Sequence, residues 1–260
     1  MPVIPGWESA FDTVASQYDQ WRPEYVAPLY QDLFAYHPID PSSRVLEIGI
    51  GAGQATRPFL DTGCTLTAVE LGKNLAVLVR QKFGGYRNFS VVAMPFQEYD
   101  CPNASLDCIY SASAFHWIPE ELGYRKVFRL LKPGGVFARF ANHPYYQQGQ
   151  EGLFADIQKV YSEFMPHSKP SPEYGEEDAK RRADIALQYG FEDARYFLYH
   201  RTRTYSSREY LSLIATYSDH IALEQGKREG LTNGIQAAID AHGGIITLFD
   251  TIDLQLARKP

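Results

Sequence analysis

The sequence contains no apolar run approaching the roughly 18 residues that a bilayer-spanning helix needs, so no membrane span is expected. It also lacks an excess of basic charge, with 25 Lys and Arg against 31 Asp and Glu for a net charge of −6. Nucleic acids and anionic membrane surfaces are bound through a basic footprint, so neither is expected as a partner. Cysteine is scarce. Cys64, Cys101 and Cys108 are an odd set without C-x-x-C spacing, which excludes a disulfide framework or a thiolate zinc site and suits a reducing cytoplasm. The opening MPVIPGWESAF has neither a basic start nor an apolar core, so it does not read as a secretory leader. The histidines show no metal-ligand spacing, and no metal is expected.

What is present is an ordinary globular composition, 45% hydrophobic and 22% charged over 260 residues, enough for one sizeable core. Aromatic content reaches 14%, with 18 Tyr, which hints at a pocket lined by rings. Strand-length apolar runs alternate with helical patterns: RVLEIG (44–49), TLTAVE (65–70), NFSVVA (88–93), LDCIYS (106–111) and GVFARFA (135–141). Between them, Leu75, Leu78, Val79 and Phe83, then Tyr124, Val127, Phe128 and Leu131, repeat at helical spacing. This is the pattern of an α/β doubly wound, mostly parallel sheet. Downstream, 142–150 reads as loop, while 194–205 and 244–257 read as long strands, the second with one buried face through Ile246, Leu248, Ile252, Leu254 and Leu256. The chain reads as one domain, 1–260. It divides into cap helices (1–40), a ligand-binding core (41–141), a helical insertion (142–190) and C-terminal strands (191–260) carrying lid helices at 206–241.

The sharpest signal is VLEIGIGAGQAT (45–56), where Gly49, Gly51 and Gly53 follow a buried strand and precede a helix. Glycines there permit positive φ and let a ligand lie against bare backbone. The dinucleotide fingerprint G-x-G-x-x-G is not met, because Gln54 stands at its third glycine. Glu70, ending the second strand, suits ribose hydroxyls in either class of nucleotide. Glu47, two residues before the first glycine, would repel a pyrophosphate and suits a ligand carrying an ammonium or sulfonium.

These motifs, with SASAFHWI (111–118) and RLLKPGGVFARF (129–140), resemble class I S-adenosylmethionine-dependent methyltransferases. FDTVASQYDQWRPEY (11–25) and ATYSDH (215–220) are similar to the methyltransferase type 11-like branch that includes trans-aconitate methyltransferase. The resemblance implies a seven-stranded Rossmann-like sheet whose last strand runs antiparallel between the fifth and sixth. It implies S-adenosylmethionine as cofactor, with Gly49, Gly51 and Gly53 against its methionine and ribose and Glu47 near its amino group. Glu70 would accept the ribose hydroxyls, Leu71 and Phe96 would enclose the adenine, and Ser111 and Ala112 would flank the methionine. Tyr18 and Arg22 would reach in from the N-terminal segment, with Arg22 on the methionine carboxylate. Relatives often place an acidic residue beside the adenine; Gln97 and Glu98 compete for that place here. Leu71 and Phe96 can equally be plain core, and Tyr18 and Arg22 an exposed connection.

Methyl transfer needs alignment and water exclusion, and a base only where the acceptor must lose a proton. His116, just past the fourth strand, is the catalytic candidate; the alternative is a histidine bonded within its loop. Asn142 and His143, and Tyr217 and His220 in the lid, are further candidates. The absence of an NPPY-like tetrapeptide argues against amide or adenine-amino targets. The reading is a cytoplasmic methyltransferase acting on a small organic acceptor, such as a carboxylic acid. A non-catalytic module binding the same cofactor and a nicotinamide-dependent oxidoreductase are the alternatives. The oligomeric state is not legible.

Overall fold

Seven strands form one sheet in the order β3-β2-β1-β4-β5-β7-β6 in the computed structural model, which describes residues 7–145, 149–170 and 172–260. The start of MPVIPGWESAF and part of the 142–150 stretch therefore lie outside the described residues. The strands are β1 (Arg44–Ile48), β2 (Thr65–Glu70), β3 (Phe89–Ala93), β4 (Leu106–Ala112), β5 (Leu131–Tyr145), β6 (Glu192–Ser206) and β7 (Ile245–Arg258). All neighbours up to β5 pair in parallel, while β7 lies antiparallel between β5 and β6, as expected.

A short 3-10 helix (Trp7–Val14) leads into α1 (Ala15–Trp21) and α2 (Ala27–Tyr36), followed along the chain by α3 (Arg57–Leu60), α4 (Lys73–Lys82) and α5 (Glu120–Leu130). Then come α6 (Glu151–Phe164) and α7 (Glu176–Asp184) before β6, and α8 (Ser207–Ile214), α9 (Ser218–Ile221) and α10 (Gln225–Ala241) before β7. The period-two alternation of the strands sends side chains to both faces, and helices cover each. On one face Val45, Cys108, Tyr110, Ala138 and Phe140 pack against Leu29 and Leu33 of α2, Phe59 of α3 and Val79 of α4. On the other, Leu46, Ile48, Ile109 and Phe137 pack against Tyr124, Val127 and Leu130 of α5. A third cluster joins α6, α8 and α10 to Ile246 and Leu248 at the start of β7.

Two differences from the sequence reading have a tertiary cause. Residues 142–145, read as loop, continue β5, because β7 offers a partner as far as the Tyr145↔Phe249 pair. β7 is buried on both faces rather than one: opposite the face of Ile252 and Leu254, Thr251, Asp253 and Gln255 are buried as well. The pairing of β4 with β5 is irregular at the KPGG segment, where one residue of β4, Asp107, stands opposite four of β5, 132–135, between Leu106↔Leu131 and Cys108↔Val136.

Candidate active site

The carboxyl ends of β1, β2 and β4 open onto a cavity of about 520 Å³, at the edge where open α/β sheets bind ligands. Its floor is the glycine turn, with φ of +70° at Gly49, +57° at Gly51 and +82° at Gly53. The three glycines serve different ends. A Cβ at Gly49 would stand 2.4 Å from that of Ala114, and one at Gly53 would stand 2.4 Å from the Phe83 ring. Packing therefore demands both. A Cβ on Gly51 would meet Tyr18 at 3.4 Å, so there the positive φ is the main requirement. Gly49 and Gly51 line the cavity; Gly53 does not.

Glu70 ends β2 with 7% exposure and stands on the cavity wall. Its Oε2 accepts the Gly51 N–H at 2.8 Å and its Oε1 the Gly72 N–H at 2.9 Å. Burial pushes its carboxyl above the ordinary range, and these two N–H donors oppose that rise. Each oxygen keeps a second acceptor position for a ligand hydroxyl. Beside it, Leu71, Leu75, Met94 and Phe96 supply an apolar slot, with both Gln97 and Glu98 at its rim. Lys126 stands 5.0 Å from the Phe96 ring centre and donates to the Gln97 carbonyl at 2.9 Å.

The N-terminal segment forms the roof. Phe11, Tyr18 and Arg22 line the cavity, and Arg22 reaches Tyr217 and Thr216 of the α8–α9 connection. Its Nε donates to Thr216 Oγ1 at 2.9 Å and its Nη2 to the Thr216 carbonyl at 2.7 Å. The guanidinium lies 5.0 Å from the Tyr18 ring centre and 4.5 Å from that of Tyr217. At the opposite end from β3, the wall carries Asn142 and Pro144 of β5, Arg203 of β6, Leu213 and Tyr217. Between the two ends lie Ala112 and Ser113, the latter with φ of +53° and its Oγ 2.8 Å from the Tyr25 hydroxyl.

Three further expected residues stand off the wall. Glu47 is sealed beneath the turn. Ser111 turns inward and donates to the Ile48 carbonyl at 2.9 Å. His116 lies in the one-turn 3-10 helix 115–117, which sends Trp117 to the cavity and His116 to a small adjoining pocket beside Arg139 and Arg182. Burial, then the charges of Arg182 and Arg139, lower its pKa to about 4. The structure thus places His116 off the main cavity's wall, as a neutral imidazole near pH 7. Of the lesser candidates, His143 bonds to Asp253 at 2.9 Å and stacks on Tyr174, off the wall, while His220 is buried against Tyr161. Tyr25, Ser113 and Arg203 went unnoticed. The one signal for Arg203 was the i, i+2 repeat in Arg-Thr-Arg (201–203), which puts two cations on one face of a strand.

A bare Gly51 backbone, a buried carboxylate with free acceptor positions and an apolar slot beside it fit a nucleoside such as that of S-adenosylmethionine. A methyltransferase domain model matches residues 46–138. An uncharacterized methyltransferase-like protein of Schizosaccharomyces pombe is 25% identical over 222 residues, 84% of this chain and 81% of that one. An uncharacterized methyltransferase of Bacillus thuringiensis is 28% identical over 62% of this chain and 81% of its own length. Among solved structures, phosphoethanolamine N-methyltransferase 2 of Haemonchus contortus has the same fold, with a TM-score of 0.57 at 16% identity. That match covers 100% of this chain, which spans 61% of the Haemonchus chain. The YcgJ protein of Bacillus subtilis aligns over 90% of this chain and 99% of its own, with a TM-score of 0.57 at 14% identity. Motif order, strand order and these relatives together support a class I S-adenosylmethionine-dependent methyltransferase, with the methyltransferase domain at residues 46–138.

Proposed function

We propose that the protein transfers the methyl group to a small organic acid, through its carboxylate oxygen, and works in the cytoplasm. The observation that carries this reading is a positive cluster at the β5–β6 end of the cavity. Arg203 donates to Asp250 through Nε at 2.6 Å and Nη2 at 2.7 Å, and Arg201 donates to the same carboxylate at 3.0 and 3.1 Å. Two guanidiniums against one fully buried carboxylate leave one positive charge over, and Arg203 is the member on the wall. A partly desolvated positive charge favours an anionic ligand. Arg201 also donates to Asn142 Oδ1 at 2.9 Å, so the second polar group on that wall is held in place.

The hydroxyls nearby are Tyr25 and Ser113, bonded to each other, and burial pushes the Tyr25 phenol far up, so it keeps its proton at neutral pH. A carboxylate suits such a wall because it arrives deprotonated and needs no base. The cofactor supplies an electrophilic methyl on a sulfonium; the chain's task is to align the acceptor and exclude water. Free thiols at Cys64, Cys101 and Cys108 support the cytoplasmic reading, and among the described residues no helix is long and apolar enough to cross a membrane.

A labelled-methyl assay across small carboxylic acids, amines and phenols tests this. Label is expected on carboxylic acids as a base-labile ester; label found only on amines would overturn the acid reading. Arg203→Met is expected to raise the acceptor KM roughly 10- to 150-fold, the loss of a charge-assisted contact of about 1.5–3 kcal/mol, without changing S-adenosylhomocysteine affinity.

The same reading makes the 7–25 segment and the 207–221 helices a closing cap. Besides the Arg22–Thr216 contacts, Asp12 Oδ1 accepts the Leu75 N–H at 2.9 Å and Lys82 bridges Asp19 and the Ala52 carbonyl. These are few, mostly half-exposed contacts, the kind that open well before the core does. Hydrogen exchange is expected to slow across 11–25 and 207–221 when S-adenosylhomocysteine binds. Slowing confined to the glycine turn would show these segments to be fixed supports.

A further inference from the structure

Glu47 was expected beside the cofactor's ammonium, yet it is 0% exposed and not on the cavity wall. Its Oε2 accepts from the Tyr110 hydroxyl at 2.7 Å and from Thr56 Oγ1 at 2.8 Å, while its Oε1 is buried without a hydrogen-bond partner. Tyr110 is itself fixed, its ring stacked 3.9 Å from Phe59 and 6.0 Å from Phe140. The groups that face the carboxyl are Tyr110 from β4, Tyr30 from α2, Thr56 from the end of the turn and Glu70 from β2. None is a cation, and Glu70 is a like charge. An ionised carboxylate with one orphaned oxygen and no counter-charge is costly to bury, so the neutral acid is the stable form. In keeping with this, burial pushes the Glu47 carboxyl up to about 8.

Glu47 is thus a proton-bearing strut. It links the end of β1 to β4 and to Thr56, the two sides of the turn on which the cofactor lies. A positive charge brought to that turn is the missing counter-charge. S-adenosylmethionine carries two positive charges, an α-ammonium that its product keeps and a sulfonium; methyl transfer removes the second, because the sulfonium loses its methyl to the acceptor and leaves a neutral thioether.

We propose that Glu47 senses the charge of the cofactor: it releases its proton to solvent when the sulfonium binds and takes one back after transfer, which favours the methyl donor over the spent product. The proposal rests on the methyltransferase reading and adds a device for exchanging product for fresh cofactor. No bond other than the Glu47 O–H is broken or made in the sensing step. The sign follows from the proton count. Where the free enzyme holds the proton and the sulfonium complex does not, rising pH favours the complex, by at most tenfold per pH unit. The effect ends near pH 8, where the free enzyme gives up the proton unaided.

Titration calorimetry with S-adenosylmethionine and, separately, S-adenosylhomocysteine, at several pH values below and above 8 and in two buffers of different ionisation enthalpy, tests this. Binding of S-adenosylmethionine is expected to release more protons than binding of S-adenosylhomocysteine, and the ratio of their affinities is expected to rise with pH up to about 8. Glu47→Gln is expected to flatten that ratio and erase the difference in proton release while keeping affinity for S-adenosylhomocysteine. Equal proton release and a flat ratio in the unaltered enzyme would overturn the proposal. So would a folded Glu47→Gln variant that no longer binds S-adenosylhomocysteine, since Glu47 would then be a ligand. Tyr110→Phe removes a donor that favours the ionised form and is expected to move the pH dependence upward; an unmoved profile counts against the sensor. Failure of both ligands to bind at any pH would instead strike the methyltransferase reading itself.

Discussion

Replacing Glu70 by alanine is expected to weaken binding of S-adenosylmethionine and S-adenosylhomocysteine by roughly 10- to 150-fold, the equivalent of one charge-assisted contact of about 1.5–3 kcal/mol. The carboxylate has two duties that the substitution removes together. It faces the cavity at the end of β2, where ribose hydroxyls would lie, and it holds the N–H groups of Gly51 and Gly72 on either side of that place. Glu70→Gln separates the duties in part, because the amide keeps one oxygen acceptor but presents an NH2 where the second oxygen was. Its loss is expected to fall between those of the native enzyme and Glu70→Ala. Calorimetry reads both. Unchanged affinity in a Glu70→Ala protein with a native circular dichroism spectrum would remove this residue from the cofactor site.

Gly51→Val is expected to lower cofactor affinity by roughly 10- to 100-fold while leaving a folded protein. A left-handed conformation costs an ordinary side chain about 1–2 kcal/mol, and a β-branched one more. The turn would relax away from its φ of +57°, and Tyr18, 3.4 Å from the new Cβ, would be pushed off the cavity wall. Gly53→Val is the informative contrast. Its Cβ would stand 2.4 Å from the buried Phe83 ring, so overpacking is expected to lower the melting temperature as well as binding. Thermal melts and calorimetry on the two variants therefore separate a glycine needed for the turn's conformation from one needed by the core. Equal stability losses in both would show that the turn is one packing unit.

The cofactor half of the site was legible because its determinants are local. Gly49, Gly51 and Gly53 follow a strand directly, and Glu70 ends the next one, so once β1 and β2 pair side by side the turn and the carboxylate must meet. The short, two-sidedly apolar runs at 45–48 and 65–69 mark strands covered on both faces, the period of 3.6 in 75–83 marks a helix with one buried stripe, and helix and strand follow from that without reference to the rest of the chain. Leu71 and Phe96 could not be told from core by sequence, and the structure shows why: Phe96 is both, packed with Leu46 and Ile48 and exposed at one edge to the cavity.

Beyond those local signals, sequence spacing failed wherever the answer depended on which way a side chain turns. Glu47 and His116 each sit within a few residues of the cavity, yet β1 points the first into the core and a single 3-10 turn carries the second to the far side of Trp117. The acceptor end was closed to sequence reasoning for a further reason. Tyr25, Ser113, Asn142, Arg203 and Tyr217 are scattered over more than half the chain and converge only because β7 inserts antiparallel between β5 and β6 and brings Arg203 beside Asp250. The sequence alone determined the sheet class and the glycine turn, since both depend on short-range periodicity and local backbone freedom, while the cofactor was legible through the resemblance that the motifs carry. Only the tertiary structure decided that Glu47 is sealed in the core, that His116 leaves the main cavity's wall and that Arg201 and Arg203 meet at Asp250, because burial and long-range pairing, not spacing, set those positions.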